Sequence, residues 1–213
     1  GLHYYYIVVN KSSLVVGGIF SALEPLAFLA MALFAVNMYR KGEKSHPNKI
    51  ALFWTIGSAI VSFVGAGLLG FAHTLPQTNL YTHGTLVTAM HGHYAFWGAY
   101  AMIVLAIISY ALPNLTGRKR YESTQGMAAF WLSNVGMLGM TVAFGVAGVA
   151  QVYMERKMKM DFMDVQNEIS IHFVVLLICA TMFATGIGLF IYDFVKYGLP
   201  SDEALLAENE SND

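Results

Sequence analysis

The chain has 213 residues, of which 56% are apolar and only 12% are charged. Because a soluble domain carries about 25% charged residues, this composition favours a membrane protein over an ordinary soluble domain. The net charge of −1 gives no electrostatic basis for a nucleic-acid partner, and the single cysteine cannot form an internal disulfide.

Long uncharged stretches define the predicted membrane spans. Asp, Glu, Lys and Arg are absent from 50–117, 123–154 and 169–192. A bilayer core about 30 Å thick requires about 20 helical residues to cross it. The pattern therefore predicts an all-α polytopic membrane helix bundle with about five transmembrane helices, at roughly 13–39, 49–73, 86–112, 127–153 and 169–195.

Helix-breaking residues predict where these spans bend or end. Glu24 and Pro25 interrupt the first span, and Pro25 is expected to kink it. The dense cluster of breakers at 76–79 predicts the turn inside the longest uncharged stretch, and Pro113-Asn114 predicts the end of the third helix. Glycines inside the spans, at 65, 67, 70, 145 and 148, suit close packing of one helix against another.

Charge also predicts the boundaries and the orientation of the bundle. Basic residues at 40–49 and 118–120 fall on the same side by helix parity, which the positive-inside rule makes cytoplasmic. The 155–168 loop then lies outside, although it too contains basic residues. Residues 1–200 are expected to form the bundle and 201–213 a polar acidic cytoplasmic tail. Because the chain begins at glycine with no signal-peptide pattern, we expect it to be part of a larger protein.

The pair His91-Gly92-His93 lies near the outer end of the third span. A helix turns about 100° per residue, so side chains two residues apart point to opposite faces. One metal ion cannot readily bind both histidines, but two haems on opposite sides of the helix can, and Gly92 leaves room between them. Spacing alone leaves a second interpretation open, in which both histidines only bond to neighbouring helices.

The surrounding sequence resembles a known family. Residues 81–100, YTHGTLVTAMHGHYAFWGAY, are similar to the haem-ligand helix of the nitric oxide reductase catalytic subunit, a branch of the haem–copper oxidase superfamily. FSALEPLAF at 20–28, HPNK at 46–49, GAGLLGF at 65–71 and HTL at 73–75 also match in order. The resemblance covers most of 1–153 and implies that the chain is the C-terminal part of a roughly twelve-helix subunit.

The resemblance implies haem-binding roles for three histidines. His91 would be the proximal ligand of a high-spin haem b, and His93 one axial ligand of a low-spin haem b. His83 resembles a histidine near the haem propionates, although a histidine at the membrane interface would look the same. His73, at the outer end of the second span, and His172, near the outer end of the last, receive no assigned role.

Two further residues are linked by the resemblance to a non-haem iron. His3 resembles one of its ligands, but the adjacent position that should also be histidine is Leu2, which cannot bind metal. Glu24 is the only acid well inside a span, and it resembles a glutamate near that iron that serves proton delivery. Each has a plainer alternative: a terminal histidine at the membrane surface, and a buried structural carboxyl group.

The function that the resemblance implies is reduction of two NO to N2O and water. The implied cofactors are a low-spin haem b, a high-spin haem b and non-haem iron, with calcium at the propionates in the full subunit. The implied partners are membrane lipid, the remaining helices of the subunit, and a cytochrome c subunit or a quinol donor. The implied location is the bacterial inner membrane, with a cytoplasmic C-terminus.

Three alternatives remain open from the sequence. One is another haem–copper enzyme, either a terminal oxidase or a nitric oxide dismutase, which the departure at Leu2 keeps in view. The second is a haem electron-transfer module without catalytic iron. The third is a transporter-like protein without a cofactor, which the absence of a haem absorption band would favour.

Overall fold

The computed structural model describes residues 11–42, 48–115 and 124–198. The regular structure in these ranges is helical: α1 (Lys11–Ser21), α2 (Glu24–Lys41), α3 (Lys49–Ser62), α4 (Leu69–Thr74), α5 (Pro76–Thr82), α6 (Leu86–Phe96), α7 (Met102–Leu115), α8 (Thr124–Val152), α9 (Phe162–Glu168) and α10 (Ser170–Asp193). Wider π-helical turns follow four of these helices, at Phe63–Leu68, Trp97–Ala101, Tyr153–Met158 and Phe194–Gly198.

Within the described ranges, five helical segments are long and apolar enough to cross a membrane. They are Val15–Lys41, Lys49–Thr74, Leu86–Leu115, Thr124–Met158 and Ser170–Lys196. The prediction of an all-α bundle with about five spans is confirmed. The acidic tail at 201–213 lies outside the described residues.

The first span is broken next to its proline, as the sequence predicts. An α-helical N–H at position 25 would bond to the carbonyl of Ser21, and proline has no N–H. The helix accordingly ends at Ser21 and resumes at Glu24, with Pro25 in the first turn of α2, where its missing N–H costs nothing.

The second and third spans cross at close range through two glycines. A Cβ atom added to Gly65 would lie 2.7 Å from the backbone of Tyr94, and one added to Gly98 would lie 2.6 Å from the backbone of Ser62. Both glycines lie inside π-helical turns. The expectation that Gly65 serves close helix packing is confirmed.

The long helix α8 packs against both α10 and α6. Glycines again permit the contact, because a Cβ atom at Gly136 or Gly186 would lie within 2.6 Å of backbone nitrogen on the opposite helix. The buried aromatic and aliphatic side chains between the spans form one core cluster, which includes Trp54, Trp97 and Phe130.

Two predicted breaks are wrong in detail. Pro76 does not form a turn; it begins the short helix α5, and the chain bends instead at Leu75, whose ψ is 121°. The third span also continues through Pro113 to Leu115. The carbonyl of Ser109, which Pro113 cannot bond, accepts a hydrogen bond from Nδ2 of Asn48 at 2.7 Å, so the helix need not end there.

The segment predicted as a loop at 155–168 is largely helical. The fourth span extends to Met158, Lys159 reverses the chain with a left-handed φ of 60°, and α9 contains Glu168 at its end. The many charged residues in this segment predict that it is exposed to water, and the loop is inferred from that exposure. Charge does not distinguish an exposed coil from a short exposed helix.

Candidate haem-ligand helix

The helix that carries the histidine pair is fixed at its first turn by neighbours from two elements. Thr85 is its N-cap residue, and its hydroxyl accepts a hydrogen bond from the N–H of Val87 at 3.3 Å. Oε1 of Gln151, on α8, accepts from the N–H of Leu86 at 2.9 Å. Two of the N–H groups left unpaired at a helix start are therefore bonded, which sets the position of α6 along its axis.

His91 points toward the second span. Its Nδ1 lies 2.9 Å from the carbonyl oxygen of Gly65. That carbonyl is available because of the wide turn at Phe63–Leu68: the N–H of Leu69 bonds to Val64, five residues back, instead of to Gly65. The π-helical turn thus supplies the acceptor that orients the His91 ring.

His93 points to a different neighbour. Its ring lies 4.9 Å from the ring of Phe144 on α8, and its Nδ1 lies 2.8 Å from the carbonyl oxygen of Ala89, one turn earlier. The side chain is exposed. The two histidines therefore face different helices, as their spacing predicts.

The nitrogen chemistry of both rings would suit binding to haem iron. A carbonyl oxygen only accepts, so Nδ1 of each ring carries the proton and donates it. In the neutral ring that donates through Nδ1, Nε2 is the nitrogen with a free lone pair, which is the form that binds a metal. Between them, a Cβ atom added to Gly92 would have no described heavy atom from outside its own stretch of helix within 4 Å.

Glu24 and His91 both approach the bare backbone of Gly70. A Cβ atom at Gly70 would be 3.3 Å from Cε1 of His91 and 4.0 Å from Oε2 of Glu24. Glu24 is exposed in the described chain, which does not support the alternative of a buried structural carboxyl group. The reason is its place in the first turn of α2, on the span with the smallest buried share.

The two remaining predicted site residues are His83 and His3. His83 follows α5 in the turn before the haem-ligand helix, and its backbone oxygen lies 3.4 Å from Nη2 of Arg156. His3 lies outside the described residues. Within the described ranges, no group of three or more His, Cys, Asp or Glu side chains is arranged to hold a metal ion.

His73 is a part of this site that the sequence did not reveal. Its ring stacks on the ring of His91, with centroids 5.0 Å apart and planes 24° apart, and the side chain is only 2% exposed. The two histidines are eighteen positions apart on different helices. Only the packing of the second span against the third brings them together.

Comparison with known proteins places this helix in a family. Residues 1–182 match the family model described as cytochrome c and quinol oxidase polypeptide I. The chain belongs to the cytochrome c and quinol oxidase polypeptide I family. It is also 42% identical over 206 residues to a nitric oxide reductase subunit of Stutzerimonas stutzeri, covering 93% of this chain.

Membership of this family explains the apolar composition and the five membrane-spanning helices. The family implies a multi-pass membrane protein with haem and metal cofactors, and the resemblance drawn from the motifs at 20–28 and 81–100 is confirmed. The chain spans 44% of the length of its reductase relative, so the activity of the whole protein is treated below as a proposal.

Proposed function

We propose that this chain is the haem-binding part of a nitric oxide reductase catalytic subunit. The reaction joins two NO molecules, consumes two electrons and two protons, and releases N2O and water. The observation that carries the proposal is the pair His91 and His93 on one helix, facing different neighbours, each with Nδ1 bonded to a backbone carbonyl. The name and the 42% identity of the reductase relative support the same reaction.

His91 would hold a high-spin haem b and His93 a low-spin haem b. When bound, the haems supply electrons and an iron atom that can bind NO. The protein contributes the fixed orientation of both imidazoles, through the carbonyls of Gly65 and Ala89. The apolar surroundings of the spans exclude water from the reacting groups.

Three other residues would serve proton and cofactor binding. The carboxyl group of Glu24, which approaches Gly70 as His91 does, would hold and deliver a proton. His83 would donate a hydrogen bond to a haem propionate, near which calcium would bind in the full subunit. His3 would contribute one ligand to a non-haem iron, with the other ligands supplied from outside this chain.

The setting of this activity is also a proposal. The protein would cross the bacterial inner membrane several times, in contact with lipid and with the remaining helices of the subunit, and end in the cytoplasm. A cytochrome c subunit or a quinol would supply electrons. The relative is named as one subunit of its reductase, which marks that protein as a component of a larger assembly.

The test uses the full-length protein purified from membranes. We expect His91→Ala and His93→Ala each to remove a different haem from the reduced-minus-oxidised spectrum, and both to abolish NO consumption. His172→Ala is the matched control, because His172 also lies in a span and bonds to the carbonyl of Ile169 one turn earlier. If both substitutions leave the haem spectrum unchanged, the ligand assignment fails.

A terminal oxidase is the second candidate, because the family description names oxidases. The same preparation distinguishes the two by consumption of O2 or of NO with a common electron donor. Release of O2 from NO would instead indicate a dismutase. About one non-haem iron per two haems is expected for the reductase, and haem without that iron would indicate an electron-transfer module.

A further inference from the structure

Burial of His73 has no explanation in the proposed function. The side chain is 2% exposed, yet its Nε2 has no hydrogen-bond partner among the residues that the structure describes. Nδ1 lies 2.8 Å from the carbonyl oxygen of Leu69 and therefore donates to it. A buried polar atom without a partner costs free energy, so the ring must contribute through something other than Nε2.

The end of the second span is built to hold this ring. The helix stops at Thr74 because Leu75 is extended, and the carbonyl of His73 is left without the usual helical donor. Nδ2 of Asn79, a residue only 3% exposed, donates to that carbonyl at 2.9 Å. Backbone and side chain of His73 are therefore both fixed by hydrogen bonds.

The ring held in this way lies on the face of His91. The hydrogen bond from Nδ1 of His91 to Gly65 fixes one atom of the His91 ring but still allows the ring plane to tilt about that bond. The stacked ring of His73, 5.0 Å away and 24° from parallel, restricts this tilt. The hydrogen bond and the stacking contact together define both the position and the plane of the ring.

We propose that His73 is a positioning residue that sets the plane of the His91 imidazole against the haem, by stacking and not by hydrogen bonding through Nε2. The inference rests on the proposed role of His91 as a haem ligand. The tilt of an axial imidazole alters its bond to iron, so loss of the stacked ring should change the iron–histidine bond before it changes haem content.

The experiment compares His73→Phe, His73→Leu and His73→Asn in the full-length protein. Phenylalanine keeps a flat ring and lacks both nitrogens; asparagine can still donate to Leu69 but has no ring. We expect the iron–histidine stretching band of the reduced high-spin haem, measured by resonance Raman spectroscopy, to shift or split in the leucine and asparagine variants. The phenylalanine variant should keep the wild-type band.

Each other result has a definite meaning. A wild-type band in all three variants overturns the proposal, and so does an equal change in the phenylalanine and leucine variants. If the leucine variant does not accumulate in membranes, the comparison of phenylalanine with asparagine decides. His91→Ala distinguishes failure of the proposed ligand role of His91 from failure of the proposed positioning role of His73. Retention of the high-spin haem in that variant would overturn the ligand assignment itself. Loss of the haem would support that assignment, and the three His73 variants would then decide the role of His73.

Discussion

At the scale of single residues, Gly148 shows how little space separates the haem-ligand helix from α8. A Cβ atom at this position would collide with the backbone nitrogen of Val87 in the first turn of α6. We expect Gly148→Ala to destabilise the protein by about 1–3 kcal/mol, because backbone cannot move aside as a flexible side chain can. The loss of stability is measured as a fall in the midpoint temperature of thermal unfolding in detergent.

Gly188 provides the matched control for that substitution. It too lies inside a transmembrane helix, but no described residue of another helix comes within 4 Å of its added Cβ. Gly188→Ala should leave the midpoint unchanged or raise it slightly, since alanine favours a helix over glycine by up to about 1 kcal/mol. Equal effects of the two substitutions would contradict the close contact at Gly148.

The residues predictable from sequence were those defined by spacing along one helix. The helical repeat alone predicts that His91 and His93 face different neighbours, whereas their assignment as haem ligands came from the family resemblance. His73 could not be predicted, because its contact with His91 depends on how two helices cross. Its signal in the sequence, a histidine at the end of an apolar span, is shared by His172.

At the scale of elements, Gln151 links the fourth span to the start of the haem-ligand helix. Its Oε1 accepts from the N–H of Leu86, and its Nε2 donates to Oε1 of Glu155 at 2.8 Å. We expect Gln151→Leu to lower the free energy of unfolding by about 1–3 kcal/mol, because a largely buried N–H and a carboxylate both lose their partner.

A double substitution tests whether the hydrogen bonds are responsible for this loss. Gln151→Glu combined with Glu155→Gln keeps an acceptor for Leu86 and a donor between the two side chains. It should therefore recover part of the stability that Gln151→Leu loses, as measured by the same thermal midpoint. A double variant no more stable than Gln151→Leu would show that side-chain packing at Gln151 matters more than its bonds.

The positions of helices were predictable from the sequence where a single physical requirement sets them. The five spans follow from the thickness of a bilayer, and their ends agree with the structure to within a few residues. The wide turns and the passage of α7 through Pro113 depend instead on remote partners. Ser58 donates to the carbonyl of Gly98 at 2.7 Å, and Asn48 bonds Ser109 across 61 positions.

At the scale of the whole molecule, the charge pattern predicts which ends of the spans face the cytoplasm. In a cysteine-free background of the full-length protein, which includes Cys179→Ser, we expect Lys157→Cys to react with a membrane-impermeant maleimide in intact spheroplasts. Lys157 is exposed between the fourth and fifth spans. Ser201→Cys, beyond the fifth span, should react only after the membrane is permeabilised. The opposite pattern would invert the proposed topology.

The wide turns in the second and third spans have a consequence for changes in chain length during evolution. A π-helical turn holds one more residue than an α-helical turn while the helix on either side keeps its direction. A one-residue deletion within Trp97–Ala101 could therefore leave the flanking helices facing the same neighbours. The same deletion in the regular helix Thr124–Val152 would rotate everything after it by about 100°. A one-residue deletion should thus be better tolerated at Trp97–Ala101 than in α8.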